Sequence, residues 1–153
     1  MKKVLCLLAV VLICALSVVP AFAAESKDYS HLRGTEINVY NWGEYISDGS
    51  DDTLNVNALF EKETGIKVNY TTFDSNENMY NKLKSGGADY DIVIPSDYMI
   101  ERLIAEELVQ KIDFSNISNY SNILPEYKDL FFDPNNEYSV PYNVGMVGII
   151  YNP

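Results

Sequence analysis

Two short polar stretches carry the side chains with the most chemistry to offer. Asn41-Trp42-Gly43-Glu44-Tyr45 follows the apolar run Ile37 to Tyr40, and Ser96-Asp97-Tyr98 follows Ile92-Val93-Ile94-Pro95. Trp42, Tyr45 and Tyr98 bring aromatic faces, Glu44 and Asp97 bring carboxylates, and Ser96 brings a hydroxyl. Aromatic rings attract an ammonium over their faces. A carboxylate or hydroxyl beside them accepts its N–H bonds. The mixture suits an alkyl-ammonium ligand, with rings against the methylenes and oxygens on the charged ends. The competing reading is a set of surface and core aromatics that never converge.

Other chemistries lack their parts. Nucleophilic hydrolysis needs a Ser, Cys or Thr beside a base. Here the only histidine is His31, in a polar leader, and there is no G-x-S-x-G elbow. Gly86-Gly87 has neither the P-loop lysine nor dinucleotide-fold spacing. Zinc draws on His and Cys, which are scarce. Asp89 with Asp91, and Glu106 with Glu107, read as solvated or structural pairs. The acidic run Asp48 to Asp52 lacks EF-hand spacing. No catalytic residue, no metal site and no cofactor is therefore expected, and the chain is not read as an enzyme.

These side chains need elements to position them. Ile92, Val93 and Ile94 read as a buried strand that Pro95 ends, with Ser96 and Asp97 capping the following helix. Ile37 to Tyr40 is a first strand, and Ile66 to Thr71 a second, alternating apolar and polar as an edge strand does. Helices are expected from about Asp52 to Thr64, closed by Gly65, from Ser75 through Lys84, and from Asp97 to about Glu107. Strand and helix alternate three times, which argues for βαβ units in a mostly parallel sheet. In the order 2-1-3 the first and third strands are neighbours. Their carboxyl ends, where ligands bind in open α/β sheets, then set Trp42, Glu44 and Tyr45 opposite Ser96, Asp97 and Tyr98. Beyond Val109 the pattern weakens. Val109 to Ile112 reads as a short strand, and Val144 to Tyr151 as an apolar, Gly-spaced one with no covering helix after it. The chain is accordingly read as a fragment.

The first residues are not part of that fold. Met1-Lys2-Lys3 precedes an apolar core, Val4 to Val19, and the Ala21-Phe22-Ala23 pattern places cleavage after Ala23, giving a signal peptide over 1–23. A flexible leader over 24–35 follows. Both cysteines, Cys6 and Cys14, fall in the signal, so the exported part needs a packed core rather than disulfides. The net charge of −11 argues against nucleic acid as a partner.

Several segments together resemble the extracytoplasmic solute-binding proteins of spermidine/putrescine ABC importers. They are Val39-Tyr40-Asn41-Trp42-Gly43-Glu44-Tyr45, Phe60-Glu61-Lys62-Glu63-Thr64-Gly65-Ile66-Lys67-Val68, Ser75-Asn76-Glu77-Asn78-Met79-Tyr80 and Tyr90-Asp91-Ile92-Val93-Ile94-Pro95-Ser96. Gln110-Lys111-Ile112-Asp113 and Phe132 to Tyr142 extend the likeness, which runs from about Ile37 onward. The resemblance implies an α/β fold of the type II periplasmic-binding-protein class. In it, 36–142 is the first segment of lobe one, and 143–153 starts a hinge crossover to a missing second lobe. It implies ligand contacts at Trp42, Glu44, Tyr45, Ser96 and Tyr98, with Trp42 and Tyr98 walling an aliphatic stem and Asp97 at the pocket mouth. Gly43 departs from relatives that carry Thr there. The implied partners are a polyamine ligand and an ABC permease, for a monomer in the periplasm or otherwise outside the cytoplasm. The alternatives are a solute-binding protein for ferric iron or an amino acid, an exported enzyme whose catalytic residues lie beyond Pro153, and a truncated product.

Overall fold

The structure is a computed structural model that describes residues 28–87 and 89–152. The expected signal peptide over 1–23 lies outside the described residues, as does the start of the expected leader. The chain divides into two units, Met1–His31 and Leu32–Pro153. In the first, residues 28–31 are exposed, and the Ser30 N–H donates to Asp28 Oδ1 at 2.8 Å. All elements named below lie in the second.

Six elements alternate: β1 (Glu36–Trp42), α1 (Val56–Thr64), β2 (Lys67–Phe73), α2 (Asn76–Lys84), β3 (Ile92–Val93) and α3 (Asp97–Ala105). The sheet has the order β2-β1-β3, and both pairings are parallel. The β1–β2 register runs from Glu36↔Lys67 to Trp42↔Phe73, and β3 joins at Val39↔Ile92 and Tyr40↔Val93. This is the α/β architecture and strand order that the sequence pattern implies.

The caps explain the helix limits. α1 starts at Val56 rather than near Asp52, because Asn55 is the N-cap and its Oδ1 accepts the Ala58 N–H at 2.9 Å. Its Nδ2 donates to the Asp48 carbonyl at 2.7 Å, which holds the preceding acidic loop in place. Gly65 closes α1 in the left-handed conformation, φ 75°, as expected. Ser75 caps α2, its Oγ accepting the Asn78 N–H at 3.2 Å. Ser96 occupies the N-cap position of α3 but makes no side-chain cap bond, contrary to expectation. Its hydroxyl is engaged elsewhere.

The core lies on one face of the sheet, where Tyr40 and Phe73 meet Met79 and Tyr80 of α2 and Met99 and Leu103 of α3. Alternate residues of a strand point to one face, which puts Tyr40 and Trp42 on the same side. Glu106 ties the two helices from outside. It accepts from Tyr80 Oη at 2.6 Å, Lys84 Nζ at 2.9 Å and Arg102 Nε at 2.9 Å.

Three expectations are corrected. β3 is short and half-exposed rather than buried, with Ile92 at 48% exposure, because it pairs only with β1. Val109 to Ile112 forms no strand; Val109 packs on the core, and the Ile112 N–H donates to the Glu137 carbonyl at 2.8 Å. Val144 to Tyr151 is irregular, with Met146, Val147, Ile149 and Ile150 almost wholly exposed. Its apolar pattern has no partner strand among the described residues, and strand propensity acts through such partners. Between α3 and this segment the chain makes short 3-10 turns and a turn built on Asp133. The buried Asp133 carboxylate accepts backbone N–H bonds from Glu137, Tyr138 and Ser139 at 3.0, 3.0 and 2.8 Å.

Candidate functional site

Register places the first tip. Trp42 and Phe73 are the last partners of the β1–β2 pair, so their side chains leave the sheet on one face at its carboxyl edge. Phe73 is buried at 7% exposure and Trp42 only partly, with ring centroids 4.5 Å apart. After Trp42 the chain turns, and the exposed Tyr45 ring comes to 6.1 Å from the indole. The Tyr142 hydroxyl donates to the Tyr45 carbonyl and moors the far side of this turn.

Behind Trp42 the aromatic layer continues inward. Tyr40 meets Phe73 edge-on at 4.9 Å and stacks on Tyr90 at 4.3 Å. The Lys82 ammonium lies 4.9 Å over the Tyr40 ring and 5.2 Å over Tyr90. Its hydrogen bond with Tyr90, the larger cause, raises the Lys82 pKa above its ordinary range. Burial pushes the Tyr40 phenol up. These two rings already carry the exposed Lys82 ammonium, which leaves Trp42 and Tyr45 as the unoccupied aromatic faces of the first tip.

An open cleft of about 670 Å³ lies between Trp42 to Tyr45 of the first tip and Thr72 to Asp74 at the end of β2, and Tyr40 also lines it. Its walls are aromatic, and its charged side chains are Glu44 and Asp74. Asn78 Nδ2 donates to Asp74 Oδ1 at 2.9 Å, which fixes that carboxylate on the first turn of α2.

The second tip is organised separately. Ser96 Oγ and Tyr98 Oη both accept from Asn76 Nδ2, at 3.0 and 2.9 Å. The Ser96 N–H donates to Asn76 Oδ1 at 3.1 Å, and Tyr98 Oη donates to Glu77 Oε1 at 3.1 Å. Asp97 Oδ1 accepts the Tyr98 N–H at 2.7 Å, turning that carboxylate back onto its own helix.

Of the six sequence-derived site residues, Trp42, Glu44 and Tyr45 thus share one cleft, while Ser96 and Tyr98 share Asn76. Ser96, Asp97 and Tyr98 do not line the cleft; its second wall is the end of β2. Asp74 and Asn76 escaped the sequence reading. The rule that ligands gather at strand carboxyl ends applies to β2 as much as to β1 and β3, and would have pointed to both.

Chemically, the cleft can pack apolar surface and accept hydrogen bonds from a cation. Among the described residues, no group of three or more His, Cys, Asp or Glu side chains could hold a metal ion.

Residues 42–153 match the family described as bacterial extracellular solute-binding protein. The spermidine/putrescine-binding periplasmic protein of Escherichia coli is 47% identical over 115 residues, 74% of this chain and 31% of that protein. The putrescine-binding periplasmic protein SpuD of Pseudomonas aeruginosa is 43% identical over 122 residues, 76% of this chain and 31% of its own length. Among solved structures, the spermidine/putrescine ABC transporter substrate-binding protein PotD from Streptococcus pneumoniae superposes with a TM-score of 0.65 at 46% identity, covering 71% of this chain and 32% of that one. The chain spans about a third of the length of these relatives.

Proposed function

The chain belongs to the bacterial extracellular solute-binding protein family, and from that premise we propose that it supplies one wall of a polyamine site, for spermidine or putrescine. The observation that carries this reading is the cleft where the Trp42 and Tyr45 rings stand beside the Glu44 and Asp74 carboxylates. A polyamine is a chain of methylenes with ammonium ends. The indole face attracts such a cation and packs its stem. The carboxylates accept its N–H bonds as charge-assisted pairs. No basic side chain lines the cleft, so an amino acid would set its carboxylate against Glu44 and Asp74 with nothing to neutralise it. The relatives' names carry the same ligands.

In this reading the protein performs no covalent step. It works outside the cytoplasm, holds the polyamine, and hands it to the membrane permease of an ABC importer. Ser96 and Tyr98, which do not line this cleft, would form a separate second contact surface for the same ligand, with Asp97 beside them. The test is isothermal titration calorimetry of the full-length protein with spermidine, putrescine and glutamate. Saturable heat with either polyamine at micromolar concentration, and none with glutamate, is the expected result. Heat with glutamate alone overturns the reading, as does no heat with any of the three.

A further inference from the structure

We propose that Asn76 is a positioning residue that sets this second contact surface through Ser96 and Tyr98. The proposal rests on the polyamine reading for one point, that Ser96 and Tyr98 face the ligand.

Asn76 opens α2 and is buried, at 5% exposure. Its amide can be oriented from its neighbours alone. The Ser96 backbone N–H can only donate, so the Asn76 atom facing it at 3.1 Å is the oxygen. The amide nitrogen then faces two hydroxyl oxygens, Ser96 Oγ at 3.0 Å and Tyr98 Oη at 2.9 Å. Both amide hydrogens and the carbonyl are committed to residues of one tip, 20 and 22 positions along the chain.

The consequences differ for the two hydroxyls. Tyr98 Oη accepts from Asn76 and donates its own hydrogen bond to Glu77. The phenol is locked onto α2 at its polar end, and the ring, half-exposed, offers its face. Ser96 Oγ accepts from Asn76 but keeps its own proton and one lone pair. It is therefore the hydroxyl with capacity left for a ligand. Ser96 also stands at the N-cap of α3, where a serine hydroxyl ordinarily accepts a helix N–H, and it makes no such bond. A cap has been forgone to aim this hydroxyl at Asn76. A simple tie between α2 and α3 would not need that.

The experiment compares Asn76→Ala and Asn76→Ser with the parent full-length protein, in two backgrounds: unaltered, and Ser96→Ala/Tyr98→Phe. Calorimetric titration with spermidine and putrescine should show about tenfold weaker binding in the unaltered background and less than about twofold in the other, because coupled residues are non-additive. Equal losses in both backgrounds overturn the proposal, since Asn76 would then act through α2 alone. A second readout needs no ligand. With ring-labelled tyrosine, the Overhauser contacts between the Tyr98 ring and α2 should weaken in Asn76→Ala, because one of the bonds that hold the phenol oxygen on α2 has gone. Unchanged Tyr98 contacts overturn the proposal. Should the parent protein take up no polyamine, the functional reading falls, and the Tyr98 contacts decide the positioning role alone.

Discussion

Trp42 and Phe73 are register partners at the last rung of the β1–β2 pair, with ring planes inclined at 56° and centroids 4.5 Å apart. One ring is buried so that the other can be presented. Phe73→Ala should cost about 3–5 kcal/mol of stability, the usual range for losing a buried phenylalanine. It should also weaken ligand binding, because the indole loses its backing. Urea unfolding and calorimetric titration measure the two effects. A variant that unfolds at the parent midpoint would show that Phe73 is not part of the supporting core.

The two cleft carboxylates make a paired prediction. Glu44→Gln and Asp74→Asn should each weaken putrescine binding about tenfold, as expected for a hydrogen bond to a charged group. Trp42 is the only tryptophan of the chain, so its emission should follow the same titration. Parent affinity in Asp74→Asn would place that residue outside the ligand's reach and leave Glu44 as the anchor.

Acid should act partly through Glu106. The Tyr80 hydroxyl first, then Lys84 and Arg102, hold its carboxyl at about 2, well below the ordinary 4.5. A carboxyl with a depressed folded pKa contributes stability that is full above its unfolded value and lost as pH falls through the folded one. The Glu106 contribution is therefore complete above about 4.5 and declines toward about 2. Asp48 and Asp113 are also lowered by bonds within their own turns, so acid lability is shared. Glu106→Gln isolates one part. Its stability difference from the parent should be constant at neutral pH and shrink below 4.5, measured by urea unfolding at stepped pH. A difference independent of pH would mean that the helix tie does not depend on the carboxylate charge.

The Asp133 turn is predicted to be fragile in one specific way. Asp133→Ala leaves the Glu137, Tyr138 and Ser139 N–H groups without their acceptor. Each unsatisfied group costs about 1–3 kcal/mol where water cannot replace the partner. The variant should lose about 3 kcal/mol and become protease-sensitive between Pro134 and Val140. Resistance to cleavage there would show that water fills the gap.

Alternation of β-branched runs with amphipathic ones made the parallel order legible, because each crossover must return the chain to the same end of the sheet. Helix starts were legible only where one cap dominated. Ser75 stands alone, whereas the possible caps in the run Asp48 to Asp52 drew the expected start of α1 away from Asn55. Trp42, Glu44 and Tyr45 could be grouped because they follow one strand. Asp74 could not, because β2 was read only as an edge. Asn76 could not, because its partners come from a later strand end, and no periodicity encodes a side-chain bond across that distance. The run Val144 to Tyr151 shows the opposite case, a strand-like composition with no partner strand among the described residues.

Both pairings of the described sheet are parallel, with no hairpin among the described residues, and that bears on when it can form. Glu36 meets Lys67 31 residues along the chain, and Asn38 meets Asp91 53 residues along. Each contact must close a long loop before it gains anything, which places such topologies among the slower folders. No strand pair can assemble from a short stretch emerging alone. An exported chain with this topology would gain time from it, staying threadable in transit, and its aromatic cleft would come together only after the end of β2 had arrived.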